Sequence, residues 1–359
     1  MKKYLPYVFL ISCIFQFSVL FHISNQKKEE PIFIPPSDQV ELEPLSEEEF
    51  FKLQRNIIFQ ESKFKDILTY LASDELEGRM SGKKGNVTAA NYIKEKFKSF
   101  GLDVKTQPFR INRMNPGPHN EVGEAVTSNI IGILKGKKDE CIVVGAHMDH
   151  IGYGPQMSRD GGGEIHNGAD DNASGTTAVL KIAETFSKLK PNYTYVFICF
   201  SAEEMGLLGS NYYVRNPVIP NKIKLMVNFD MVGWYKDKKL QVLGGSGINF
   251  VQKAIDQIKP QYSNLNFVTT PECGGGSDQA SFSNVGIPSV FFFTGLHPYY
   301  HTSQDDVEKI DFDGLTKIAS FAFDMLKQID NMPEQTLEVN YIKTRYPLAH
   351  DHGTDKFSH

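Results

Sequence analysis

Apolar positions in the middle of the chain follow two rhythms that take turns. Short runs at residues 129–134, 141–146, 193–200 and 225–229 read as strands, and stretches with helical spacing at 173–189 and 207–214 lie between them. Runs such as CIVV (141–144) and YVFICF (195–200) are almost continuously apolar. A strand needs that only if both of its faces are covered, as they are when helices pack on each side of a mainly parallel sheet. A further strand at 288–293 and a closing helix at 312–329 extend the layer. Ahead of it, 51–71 and 89–100 carry apolar residues at helical spacing, the second stopped by Gly101. The expectation is a three-layer α/β fold: a mixed, mostly parallel, twisted sheet with helices on both faces, without internal repeats.

The two ends break this pattern. Lys2 and Lys3 precede an uncharged run from Tyr4 to Gln26 rich in Leu, Ile, Val and Phe, which predicts an export signal or a membrane anchor over 1–26. Leu10-Ile11-Ser12-Cys13 also resembles a lipoprotein box, which makes lipidation at Cys13 a lesser option. Residues 27–46 mix charge and proline without a period and suit a tether. The catalytic domain is then expected over 47–332, with a tail at 333–359. The protein should therefore act outside the cytoplasm, in the periplasm, the cell envelope or the medium, either free or tethered to a membrane.

Composition narrows the function. With 359 residues, 40% hydrophobic content and a formal net charge of −5, the chain has ordinary globular composition and no dense basic patch. Nucleic acid is excluded as a partner, because phosphate neutralisation has no source here. Cys141, Cys199 and Cys273 form no CxxC pair and read as small hydrophobes, although export would permit some of them to pair.

Candidate chemistry lies where the strands end. In an open α/β sheet, ligands bind beyond the carboxyl ends of the strands, where side chains leaving the ladder converge. CIVVGA runs into His147 and Asp149, YVFICFSA into Glu203 and Glu204, and LMVNF into Asp230. Between the first of these and a helix lies HNGADDNASG, whose adjacent Asp170 and Asp171 repel each other unless a cation or protons intervene. HPYYHTSQDD adds His301. Imidazole and carboxylate without clustered thiolate favour zinc or a similar transition ion.

GAHMDHIG, NGADDNASG, SAEEMGLLGS, NFDMVG and YHTSQDD, in that order, resemble the motif series of the co-catalytic zinc exopeptidases of clan MH. That group contains bacterial leucyl aminopeptidases, plasma glutamate carboxypeptidase and the glutaminyl cyclases. The match spans roughly 51–329, and five ordered motifs are far more specific than a lone HxD or EE pair. The resemblance implies the zinc-peptidase (phosphorylase/hydrolase-like) fold, two zinc ions per subunit, and an aminopeptidase acting on peptides with a free amino terminus. It also implies roles. Asp170 would bridge both metals, its bond to Asp171 being the family's cis peptide. His147 and Asp230 would complete one zinc, Glu204 and His301 the other. Glu203 would be the general base for metal-activated water, Asp149 the carboxylate orienting His147, and Tyr300 a support for the oxyanion.

Duller readings compete. Glu203 and Glu204 alone could be a solvated helix start. Asp305 and Asp306 read as a helix cap, His150, His166 and His297 as polar loop residues, and Tyr300 equally well as wall packing. Phe291 to Phe293 read as core strand. The segment at 278–282 (DQASF) resembles the family's substrate-side SDHxxF pattern with Gln279 in place of His, and Cys273 has no nearby partner for the short disulfide of some relatives. On the same scaffold a glutaminyl cyclase or a dipeptide-directed carboxypeptidase is the rival enzyme. Tyr300 argues against the cyclase, which tends to carry Trp there. A non-catalytic receptor domain would have lost a ligand or the base, and none is lost.

Overall fold

A computed structural model describes residues 45–112, 124–154, 157–236 and 238–333. The leader, Cys13, the linker as far as residue 44 and the tail beyond residue 333 lie outside the described residues. In chain order the elements are α1 (Glu47–Ile58), α2 (Glu61–Leu71), α3 (Lys84–Ser99), β1 (Asp103–Asn112), β2 (Glu124–Leu134), β3 (Cys141–His147), α4 (Gly175–Phe186) and β4 (Thr194–Phe200). There follow α5 (Leu208–Arg215), β5 (Ile223–Phe229), β6 (Leu240–Leu243), α6 (Asn249–Ile258), β7 (Phe267–Thr269), α7 (Gln279–Asn284), β8 (Ser289–Phe293) and α8 (Phe312–Asn331). The eight strands form one sheet in the order β1-β2-β4-β3-β5-β8-β6-β7.

The centre of the sheet, β4-β3-β5-β8, is parallel throughout, whereas β1, β2 and β6 join by antiparallel pairings. The mixed, mainly parallel sheet is therefore as expected. Alternation explains why its central strands are apolar on every residue. Ile142, Val144, Tyr195, Phe197, Leu225 and Val227 point into a core that includes Phe64, Phe97, Phe186 and Phe323. Their neighbours Val143, Val196, Ile198 and Met226 point into a second core with Tyr213 and Phe282. Both faces are thus covered by helices, which bury the strands completely.

Three differences from the sequence reading have local causes. The helical stretch at 51–71 is two helices broken around Gln60, whose backbone is extended. The edge strand β1 escapes a pattern reading because it pairs on one side only and carries charge and Pro108. The strands β6 and β7 have four and three residues, too few to show a period. Cys141, Cys199 and Cys273 are buried, as small hydrophobes would be.

Candidate metal centre

Because β3, β4, β5 and β8 run the same way, their carboxyl ends share one edge, and the turn from 166 to 174 between β3 and α4 crosses it. At that edge two adjoining groups of ligand atoms form. His147, Glu203 and Asp230 make one, and His150, Asp171, Glu204 and His301 the other, the atoms of each lying within 4.8 Å of one another.

Asp171 joins them. Its Oδ1 lies 3.3 Å from His147 Nε2 and its Oδ2 3.2 Å from His301 Nε2. On the outer sides Asp230 Oδ1 is 3.3 Å from His147 Nε2, and Glu204 Oε2 is 3.1 Å from His301 Nε2. The place between the two groups, expected for Asp170, is therefore taken by Asp171, and the cis peptide is Asp171–Asn172 rather than Asp170–Asp171. Asp170 turns the other way. Its Oδ1 accepts from the Gly233 N–H at 2.6 Å, and its Oδ2 lies 3.2 Å from His297 Nε2.

The turn carrying Asp171 is irregular and held from several sides. Asn172 donates to the Phe229 carbonyl at 2.9 Å and accepts from the Gly175 N–H at 2.8 Å, tying the turn to the end of β5. Asp305, read as a helix cap, instead grips the turn, its carboxylate accepting from the backbone N–H groups of Asp170 and Asp171 at 3.0 to 3.2 Å. At Gly168 φ is +58°, and a Cβ there would sit 2.1 Å from the Asp171 carbonyl oxygen and 2.5 Å from the His150 ring. Only glycine fits.

Arg79, which sequence reading passed over, is buried beneath the site. Its guanidinium donates to the carbonyls of Met148 and Gly168, each at 2.9 Å, of Asn167 at 2.6 Å, and of Leu71. It thereby ties the end of α2 to both loops that bring ligands. Burial lowers its pKa to about 10, against the pull of Asp171, Asp305, Asp149 and Glu204, and it stays cationic. A pattern search does not find such a residue, since an isolated Arg in a polar loop reads as surface.

Glu203 and Glu204 follow a tight turn in which Ala202 has φ +58° and donates its N–H to Ser81 Oγ at 2.8 Å. The turn sends them to different places. Glu204 faces His301 and also accepts from His150 Nδ1 at 2.8 Å, so His150, read as a polar loop residue, belongs to the cluster. Glu203 faces His147 and Asp230. Asp149 is buried beside His147, with Oδ1 at 3.8 Å from Nδ1; the closer acceptor is its own carbonyl, at 3.2 Å. The Asp149 carboxylate accepts instead from the Glu203 N–H at 3.2 Å. Tyr300 stacks on the His301 ring at a centroid distance of 3.9 Å. Burial raises its phenol well above the ordinary value, and Asp171, Glu204, Glu203 and Asp230 push the same way, so the hydroxyl senses the cage. His166 is tied to Ser158 and Asp160, away from the clusters.

The residues fit divalent cations. Burial pushes the Glu203 carboxyl well up, with Glu204, Asp278 and Asp230 repelling it, and pushes Asp278 up to about 7. Burial works against a charge on His301, but Glu204 and Asp171 outweigh it and raise the ring to about 11. Several carboxylates thus compete for too little positive charge in a largely buried cage, a costly arrangement unless cations complete it. His301 Nε2 and Asp230 Oδ1 have no hydrogen-bond partner in proper geometry despite neighbours at 3.1 to 3.3 Å, as expected of atoms aimed at ions rather than at each other. Imidazole and carboxylate are zinc's donors.

A fold with helices on both faces of a mainly parallel sheet, and this cage at its carboxyl edge, defines a metallohydrolase scaffold. The chain belongs to peptidase family M28, whose family model matches residues 129–326. It is 34% identical over 199 residues to aminopeptidase YwaD of Bacillus subtilis, covering 51% of this chain and 40% of that protein. It is also 28% identical over 273 residues to a probable leucine aminopeptidase of Trichophyton verrucosum, covering 72% and 70%. The match to YwaD thus spans less than half of that relative's length. Among solved structures, an aminopeptidase from Aneurinibacillus sp. strain AM-1 superposes with TM-score 0.65 at 20% identity, covering 80% of this chain and 98% of that one. A glutaminyl cyclase from Porphyromonas gingivalis gives 0.64 at 21%, covering 75% and 98%. At these identities the structural likeness speaks for the fold alone.

Proposed function

We propose that this chain is a two-zinc aminopeptidase that removes the first residue from peptides with a free amino terminus. The observation that carries the reading is the position of Asp171, which offers one oxygen to each half of the cage, with a His and a carboxylate completing each half. His147 and Asp230 would hold one ion, Glu204 and His301 the other, and Asp171 both. His150 is within reach of the second and also orients Glu204. Two bound zinc ions would polarise the scissile carbonyl and make water a nucleophile at neutral pH.

The protein's own groups supply the rest. Glu203 is partly exposed beside His147 without being needed as a ligand, so it would take the proton from the attacking water and return it to the leaving amine. Its backbone N–H is fixed by Asp149, which places the base. Met157 O, 3.1 Å from His301 Nδ1, holds that ring with Nε2 facing the cage. Tyr300 would donate its hydroxyl to the developing oxyanion. Aminopeptidase specificity is supported by the names of the relatives in the same family. Action outside the cytoplasm is part of the proposal and rests on the apolar run from Tyr4 to Gln26.

The experiment is hydrolysis of leucyl peptides by the purified full chain. Free leucine should appear, chelation should abolish the activity and added zinc restore it. Equal cleavage of a peptide whose amino group is acetylated would refute the aminopeptidase reading. Cyclisation of N-terminal Gln peptides in place of hydrolysis would move the protein to the rival activity.

A further inference from the structure

The segment 157–160 wraps the residue that holds the outer half of the cage. Met157 O lies 3.1 Å from His301 Nδ1, and the Arg159 N–H donates to the His301 carbonyl at 2.8 Å. Asp160 Oδ2 accepts from both the N–H and the hydroxyl of Ser303, at 2.7 and 2.8 Å. Buried His166 holds the segment from behind through Ser158 Oγ, 2.9 Å away, and Asp160 Oδ1, 3.1 Å away. Arg159 is therefore pinned on both sides along the backbone while its side chain is exposed. Its guanidinium lies over the Tyr300 ring, 4.9 Å from the centroid, and that ring stacks on His301. No ion pair joins this guanidinium to a carboxylate among the described residues. The result is an unspent positive charge with planar donors at the rim of the cage, one ring beyond a ligand. The carboxylates Asp171, Glu204, Glu203 and Asp230 also bear on Tyr300, and bound cations would occupy them.

We propose that Arg159 docks a carboxylate on the residue that follows the scissile bond, and that dipeptides are preferred substrates. The inference rests on the aminopeptidase reading. With the scissile carbonyl at the cage, the next residue's carboxylate lies about one residue length further on, roughly 3.5 Å per residue, and the exposed guanidinium stands 4.9 Å from a ring that itself stacks 3.9 Å from His301, so a side chain as long as Arg can swing to it. Arg suits the task because its fork pairs with both carboxylate oxygens, and stacking on a ring keeps the fork oriented between turnovers. The carboxylate has two sources, the C-terminus of a dipeptide or an acidic side chain at that position, and the substrates below separate them.

The test compares leucyl-leucine, leucyl-leucine amide and leucyl-glutamate amide with the zinc-loaded full chain and its Arg159→Met and Arg159→Lys variants. Wild type should favour leucyl-leucine over its amide. Arg159→Met should lower that preference about tenfold or more, mainly through KM, as loss of a charged hydrogen bond does, and Arg159→Lys should restore part of it. A matching loss on leucyl-glutamate amide extends the contact to an acidic side chain; a loss on leucyl-leucine alone confines it to the C-terminus. A readout without turnover is calorimetric binding of leucyl-leucine to Glu203→Gln with and without Arg159→Met, where affinity should fall by a similar factor. An unchanged preference or unchanged affinity in the Met variant overturns the inference and leaves the aminopeptidase reading standing. If wild type cleaves none of the three, that reading falls and this one with it.

Discussion

Two neighbouring aspartates give the sharpest test of how the cage is built. In Asp171→Asn one oxygen is lost from a group whose two oxygens face His147 and His301 at 3.3 and 3.2 Å, and the negative charge goes with it. One unit charge opposite another at 4 Å contributes about 4 kcal/mol at an effective dielectric of 20, so affinity for at least one ion should drop by about three decades. Asp170→Asn should behave differently. The amide can still accept from the Gly233 N–H, and the position points at His297 rather than into the cage. Its effect on metal affinity should stay within about 100-fold, the range for groups that act through a ligand. The assay is zinc content per chain at buffered free zinc, alongside leucyl-p-nitroanilide hydrolysis, with thermal unfolding as a check on folding. Zinc retained in the Asp171 variant and lost in the Asp170 variant would refute the assignment of the bridge.

Other expectations follow from the same geometry. Glu203→Gln should keep its zinc while turnover falls by about 10²- to 10⁴-fold; an unchanged kcat would remove Glu203 as the base. Arg79→Met leaves four backbone carbonyls without their buried donor and should cost about 3–5 kcal/mol in urea unfolding, where a loss below about 1 kcal/mol would contradict its structural role. Gly168→Ala, forced against a carbonyl oxygen and the His150 ring, should lower both stability and zinc affinity, read by unfolding midpoint and metal content.

The layer order and the edge that carries the chemistry were legible because they depend on periodicity. Doubly buried strands must be apolar throughout, and residues just past their carboxyl ends must converge. His147, Glu204 and Asp230 are of this kind, and the cage joins them to His301, which stands in the loop well beyond β8. Asp171 was missed by one position. Asp170 and Asp171 are the same residue type in a turn whose dihedrals follow no repeat, with Asp171 at φ −106° and ψ 90° and Asn172 at φ −134° and ψ 46°, so nothing periodic tells which carboxylate points inward. His150 was missed for a related reason. It follows Asp149 on a chain that has left the sheet, and its approach to Glu204 depends on the glycine at 168 making room. Arg79 and Asp305 are invisible to pattern reading because they bind backbone groups brought near only by the fold.

The most direct test of the central claim is anomalous diffraction at the zinc edge from crystals of the zinc-loaded protein. Two peaks on either side of the Asp171 carboxylate are predicted, one against His147 and Asp230 and the other against Glu204 and His301. A single peak, or a second one beside Asp170 and His297, would contradict the account.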